Sequence, residues 1–164
     1  MNNIILIGMP GVGKSTIGVI LAKELGYQFI DADLLIQGQE KRLLKEIIDQ
    51  EGQEGFLDIE GRVNAGICAE RSVIATGGSV VYRKAAMEHL REIGTVVYLK
   101  LSYDRLEKRL GNLHDRGVVL KEGQTLWDLY NERVPLYEKY AHVIVDEQDL
   151  DPEGTLQTLL KKFQ

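Results

Sequence analysis

Apolar positions along the chain follow two alternating patterns. Residues 4–7 form a continuous run, Ile-Ile-Leu-Ile, followed at once by glycine-rich sequence, as expected of a short strand buried on both faces. Ile17, Ile20, Leu21 and Leu25 then recur at helical spacing, and Gly26 closes that helix. The alternation continues with a strand over 27–31 and a helical pair over 34–48. Phe56, Ile59, Val63 and Ile67 predict a further helix, although Gly55, Gly61 and Gly66 interrupt it. Strands over 72–75 and 95–101, helices over 103–110 and 126–140, a strand over 142–145 and a closing helix over 152–163 complete the pattern. The last helix has Pro152 at its start, where a missing amide hydrogen does no harm. Five strands alternating with helices predict an α/β fold: a parallel sheet covered on both faces, because parallel strands need crossover connections. Residues 111–125 are polar and contain Gly111, Gly117 and Gly123. At about fifteen residues this stretch is long for a connection in a compact domain, and such loops often serve as lids.

Composition narrows the class. The 164 residues are 44% hydrophobic and 27% charged, which excludes a disordered chain, a collagen-like chain and a disulfide scaffold. With three prolines, no repeat and no linker-like stretch, residues 1–164 are read as one domain. A net charge of −5 gives no general attraction for nucleic acid or an anionic membrane, so any site for an anion must gather its positive charge locally. The single cysteine, Cys68, has no internal partner and suits a reducing compartment; its expected place is an apolar helix face. The run at 4–7 is too short for a signal peptide or a membrane span. A cytoplasmic monomer without nucleic-acid or membrane partners is expected. His89, His114 and His142 are far apart and lack metal-ligand spacing.

The strongest chemical signal is Gly8-Met9-Pro10-Gly11-Val12-Gly13-Lys14-Ser15. It fits G-x-x-x-x-G-K-[ST] and lies between a predicted strand and a predicted helix, the context this phosphate-binding loop requires. Glycines let successive amides turn toward an anion, and the helix N-terminus adds partial positive charge. Gly11, Val12, Gly13, Lys14, Ser15 and Thr16 are therefore the candidate ATP-binding residues. Lys14 is expected on the β- and γ-phosphates and the Ser15 hydroxyl on Mg²⁺. Switch and motor nucleotidases carry an acid at the end of a later strand; the strands over 72–75 and 95–101 do not. Acids follow the second strand instead, at Asp31 and Asp33. Spaced by two, they point the same way off an extended segment, one toward a metal and one toward a substrate hydroxyl. The plainer alternative makes Asp33 a helix N-cap. A chain of this size favours a small-metabolite kinase.

Taken in order, these residues resemble the shikimate kinase family over nearly the whole chain. The phosphate loop is followed by Asp31-x-Asp33; Gly52, Phe56 and Glu60 fall in the family's Gly-Glu-x-x-Phe-Arg-x-x-Glu pattern. Ala75-Thr76-Gly77-Gly78 matches its glycine-rich strand end, and Glu132-Arg133-Val134-Pro135-Leu136-Tyr137 its Glu-Arg-x-Pro-Leu-Tyr segment. The resemblance implies a three-layer P-loop kinase fold with a five-stranded parallel sheet, a lid at about 111–125 and a substrate-binding helical region at about 33–62. It implies MgATP-dependent phosphorylation of the 3-hydroxyl of shikimate. By position it assigns Asp33 to the acceptor hydroxyl, Asp31 to Mg²⁺ through water, and Gly77 and Gly78 to backbone contact with substrate. Arg133 would bind the substrate carboxylate, Arg116 in the lid the transferring phosphoryl group, and Arg109 and Pro152 would sandwich adenine.

Four positions depart from the pattern. The family's Phe-Arg is Phe56-Leu57; Gln53 replaces Glu, Ser79 the third glycine, and Gly117 the lid's Pro. Losing one charge-assisted contact at position 57 costs roughly 1.5–3 kcal/mol, or about tenfold to a hundredfold in binding. Arg62 lies about 140° around the helix from Leu57, a poor position for replacing it. Arg133 beside Glu132 also has a plain reading as a solvated helix arginine, as does Arg116 beside Asp115 as a loop ion pair, while Trp127 is expected to pack. The rival functions are a kinase for another small hydroxylated acid or polyol, and a nucleotide-binding regulatory protein without acceptor turnover.

Overall fold

A computed structural model describes residues 2–110 and 121–164. In chain order the elements are β1 (Asn3–Ile7), α1 (Lys14–Leu25), β2 (Gln28–Asp31), α2 (Ala32–Glu40), α3 (Leu44–Ala65) and β3 (Ser72–Ala75). A 3₁₀ turn (Val80–Tyr82), α4 (Lys84–Ile93), β4 (Gly94–Lys100), α5 (Tyr103–Arg109), α6 (Leu126–Tyr140), β5 (Val143–Asp146) and α7 (Pro152–Phe163) follow. The five strands are all parallel, in the order β2-β3-β1-β4-β5, and the expected α/β architecture is present. β1 is central, so its residues are buried without alternation, as a strand covered on both faces requires. α1 packs on α7 and lies against β1, β2 and β3, while α4 and α6 pack against β4. The ends of β1, β3 and β2 therefore open toward the start of α1 and the start of α2, where the candidate residues gather.

Three elements differ from the sequence expectation. α4 was not expected; its buried Ala86, Met87, Leu90 and Ile93 do follow helical spacing, but short polar stretches surround them. The helical pair and the helix after it merge differently: α2 ends at Glu40, and α3 runs from Leu44 to Ala65 with a break at Gly52, whose φ of 75° is non-helical. Glycine adopts that angle at little cost, so the helix bends there rather than stopping. α3 ends because the Gly66 amide turns back to the carbonyls of Arg62 and Val63. Cys68 therefore falls in the following turn and is exposed, not on a buried helix face. Trp127 is also half exposed, edge-on to Tyr103 at 4.9 Å between ring centres.

Beside the main core, Ile36, Ile47, Phe56, Leu57 and Val63 form a separate apolar cluster between α2 and α3. It anchors the helical region that carries Asp33 and Glu60 over the strand ends. Among the described residues no helix is long and apolar enough to cross a membrane.

Candidate active site

The loop from Gly8 to Gly13 leaves β1 and enters α1 through Gly13, whose φ of 94° lies in the left-handed region. No side chain caps α1 and its first turn carries no acid, so the amides there remain available to an anion. Lys14 folds back over the loop, its Nζ donating to the Gly8 carbonyl at 2.7 Å and the Met9 carbonyl at 2.9 Å. Burial lowers its pKa to about 8, although the nearby Asp33 carboxylate works in the opposite direction. The Val12 side chain is buried in the core, so only its backbone can reach a ligand.

A cavity of about 390 Å³ opens beside this loop. Its walls include Gly11, Gly13, Lys14, Ser15 and Thr16 from the loop and α1, and Asp33 from α2. Phe56 and Glu60 come from α3, Thr76, Gly77, Gly78 and Ser79 from the segment after β3, and Arg133 from α6. Asp31 and Asp33 do not point the same way, because the chain turns from strand to helix between them. Asp31 is the N-cap of α2: its Oδ1 accepts from the Asp33 amide at 2.9 Å, and its Oδ2 accepts from Ser15 Oγ at 3.2 Å. The capping reading proposed for Asp33 thus belongs to Asp31, and the Asp33 side chain is left to face the cavity. Burial first, and the neighbouring Asp31 second, raise the Asp33 pKa to about 6.

Gly77 and Gly78 are glycines because the walls close on them. A Cβ at Gly77 would lie 2.7 Å from Glu60 Oε2 and 2.8 Å from Asp33 Oδ1. One at Gly78 would lie 2.8 Å from Pro10 Cδ and 2.9 Å from Arg133 Nη1. Tyr137 on α6 holds the segment by donating its hydroxyl hydrogen to the Gly78 carbonyl. Arg133 is 1% exposed, which removes the reading of a solvated helix arginine. Its Nε donates to the Tyr82 hydroxyl at 3.2 Å, and its guanidinium lies 5.3 Å from the centre of that ring.

The match to the family model for shikimate kinase runs over residues 10–164. The chain belongs to the shikimate kinase family. A shikimate kinase from Thermodesulfovibrio yellowstonii is 35% identical over 167 aligned residues, covering all of this chain and 96% of that one. One from Clostridium botulinum is 41% identical over 148, covering 88% of this chain and 87% of the other. Among solved structures, the shikimate kinase from Acinetobacter baumannii in complex with shikimate superposes with a TM-score of 0.82 at 27% identity, over 99% of this chain and 92% of that one.

Within this shikimate kinase family member, the remaining expected residues are spread around the cavity. Arg109 reaches the phosphate loop, its Nη1 donating to the Gly11 carbonyl at 3.1 Å. Pro152 is exposed at the first turn of α7; neither residue lines the main cavity. Arg116 and Gly117 lie outside the described residues. Leu57 turns away from the cavity into the apolar cluster and onto a smaller hollow shared with Gln53, Tyr82, Arg83 and Glu132. Arg62 pairs with Glu40 on the surface at 3.1 Å and brings no charge to the site. Sequence reading assigned no role to Glu60, Ser79 or Tyr82. Glu60 had a signal: it is an acid one turn after Phe56 on the buried stripe of α3. Tyr82 had none, because its partner Arg133 is fifty-one residues away.

Proposed function

We propose that this chain transfers the γ-phosphoryl group of ATP to the 3-hydroxyl of shikimate, giving ADP and shikimate 3-phosphate. The observation that carries the reading is the convergence of Lys14, Asp33 and Arg133 on one cavity. It offers an anion-binding loop, a carboxylate able to take a proton, and a buried guanidinium suited to a carboxylate. An ATP-binding protein without an acceptor has no use for the last two.

In this mechanism the amides of Gly11, Val12, Gly13, Lys14, Ser15 and Thr16 wrap the phosphates, and Lys14 exchanges its loop carbonyls for β- and γ-oxygens. Arg109 and Pro152 hold the adenine. Arg133 fixes the acceptor by its carboxylate with paired hydrogen bonds, and the close backbone of Gly77 and Gly78 lets the ring approach. The acceptor hydroxyl is thereby aligned with the γ-phosphorus. As its oxygen forms the new P–O bond and the bond to the β-phosphate oxygen breaks, an Asp33 carboxylate oxygen accepts its proton. Arg116 from the lid neutralises charge on the transferring group.

The contact between Ser15 Oγ and Asp31 Oδ2 places two hard oxygen donors beside the loop, a set that suits Mg²⁺. Ser15 directly, and Asp31 through water, would hold that ion, which when bound supplies charge neutralisation on the phosphate oxygens. The exposed thiol of Cys68 fits a reducing cytoplasm. The test is a coupled assay of ADP release with and without shikimate. Turnover that depends on shikimate supports the reading, and a rate no higher than the ATPase background overturns it.

A further inference from the structure

Glu60 is the anomaly of the acceptor site. Its residue is 1% exposed, yet no lysine or arginine pairs with it at ion-pair distance among the described residues. Among the described residues a single donor serves it: Ser79 Oγ, 2.6 Å from Oε1. The second oxygen, Oε2, lies against the Gly77 backbone on the cavity wall. A buried carboxyl with so few partners is costly unless something donates to it. Position 57 is one helical turn earlier on α3, where residues three apart are neighbours. A long cationic side chain there could reach Glu60, and Leu57 does not.

We propose that Ser79 is a positioning residue of the acceptor site: its hydroxyl supplies Glu60 with the donor that Leu57 lacks, so that residues 57 and 79 form one coupled pair. The inference rests on the acceptor-site reading above. The Ser79–Glu60 bond ties the segment after β3 to α3 from one side, while the Tyr137 hydroxyl holds Gly78 from α6. Between those ties stands the Gly77 backbone, the wall against which Asp33 lies. Without the Ser79 hydroxyl, Glu60 would have no donor among the described residues, and the wall would lose its side-chain tie to α3. The charged groups that face Glu60 are Asp33 from α2, Lys14 from α1 and Arg133 from α6; none belongs to α3. Burial raises the Glu60 pKa to about 7, and the Ser79 hydrogen bond opposes that rise. Removing the bond therefore shifts the titration further upward.

The experiment is a mutant cycle of Ser79→Ala, Leu57→Arg and the double variant, with Ser79→Thr as the conservative control. The Glu60 carboxyl is titrated by carbon NMR in the full chain, and the acceptor KM and kcat are measured in parallel. The expected result is an upward shift of the Glu60 titration by about one pH unit in Ser79→Ala, with a KM several-fold higher and kcat little changed. Ser79→Thr should restore both, and in the Leu57→Arg background Ser79→Ala should move neither. An unshifted titration in Ser79→Ala, or effects that simply add in the double variant, would overturn the proposal. Should Leu57→Arg fail to fold, Leu57→Lys takes its place in the cycle. Because the titration needs no turnover, it separates this inference from the substrate assignment.

Discussion

Arg133 and Tyr82 are held together twice: the guanidinium Nε donates to the tyrosine hydroxyl at 3.2 Å, and the same guanidinium faces the ring at 5.3 Å. A buried arginine keeps one geometry when both its hydrogens and its flat face are engaged. Tyr82→Phe should keep the ring contact and lose the hydrogen bond. We expect the shikimate KM to rise by about threefold to tenfold with kcat nearly unchanged. Tyr82→Ala should raise it further, and steady-state kinetics on the two variants measure both effects.

The elevated Asp33 pKa, about 6, predicts the acid limb of the rate profile. In the proposed role the carboxylate form accepts the hydroxyl proton, so kcat/KM should fall as pH drops through about 6 and level off above it. Asp33→Asn should reduce kcat by about 10²–10⁴-fold while ATP still binds, since the phosphate loop is untouched. A profile flat from pH 5 to 8 would remove Asp33 from this role.

Leu57 offers neither charge nor donor where the family pattern has arginine. If that position limits binding, Leu57→Arg should lower the shikimate KM by up to about tenfold to a hundredfold, at some cost in stability to the apolar cluster around Ile36 and Phe56. An unchanged KM in a folded variant would show that the remaining arginine suffices.

Glu60 also links pH to folding. Its pKa rises from 4.5 to about 7 in the folded chain, chiefly through burial, so the folded state binds a proton that the unfolded state releases across that window. The contribution to stability is present in full below about pH 4.5 and is lost as pH rises through about 7. Glu60→Gln, which has no proton to lose, should gain stability relative to the parent over this range, on the order of 3 kcal/mol in total. Denaturant melts of both proteins at pH 5 and pH 8 test this; a difference that does not change with pH would refute it.

Local sequence decided the parts of the molecule whose physics is local. A run of four apolar residues followed by glycines and a lysine marks the phosphate loop from neighbouring residues alone, and α6 starts at Leu126 as its pattern predicts, where the structure shows Thr125 and Asp128 capping one another. The closing helix begins where Pro152 says it should. The order of the strands and the side chains that meet over them were settled at longer range. Asp31 took the capping role that was the plainer alternative for Asp33, because the strand-to-helix turn aims the first carboxylate at its own backbone. Arg133 became a buried group on the cavity wall only because α6 packs against the turn carrying Tyr82. Glu60 found its donor nineteen residues away, on Ser79. Periodicity reports which face of an element is buried; the identity of the neighbour that meets a buried polar group is set by how the elements dock, and that information is spread over the whole chain.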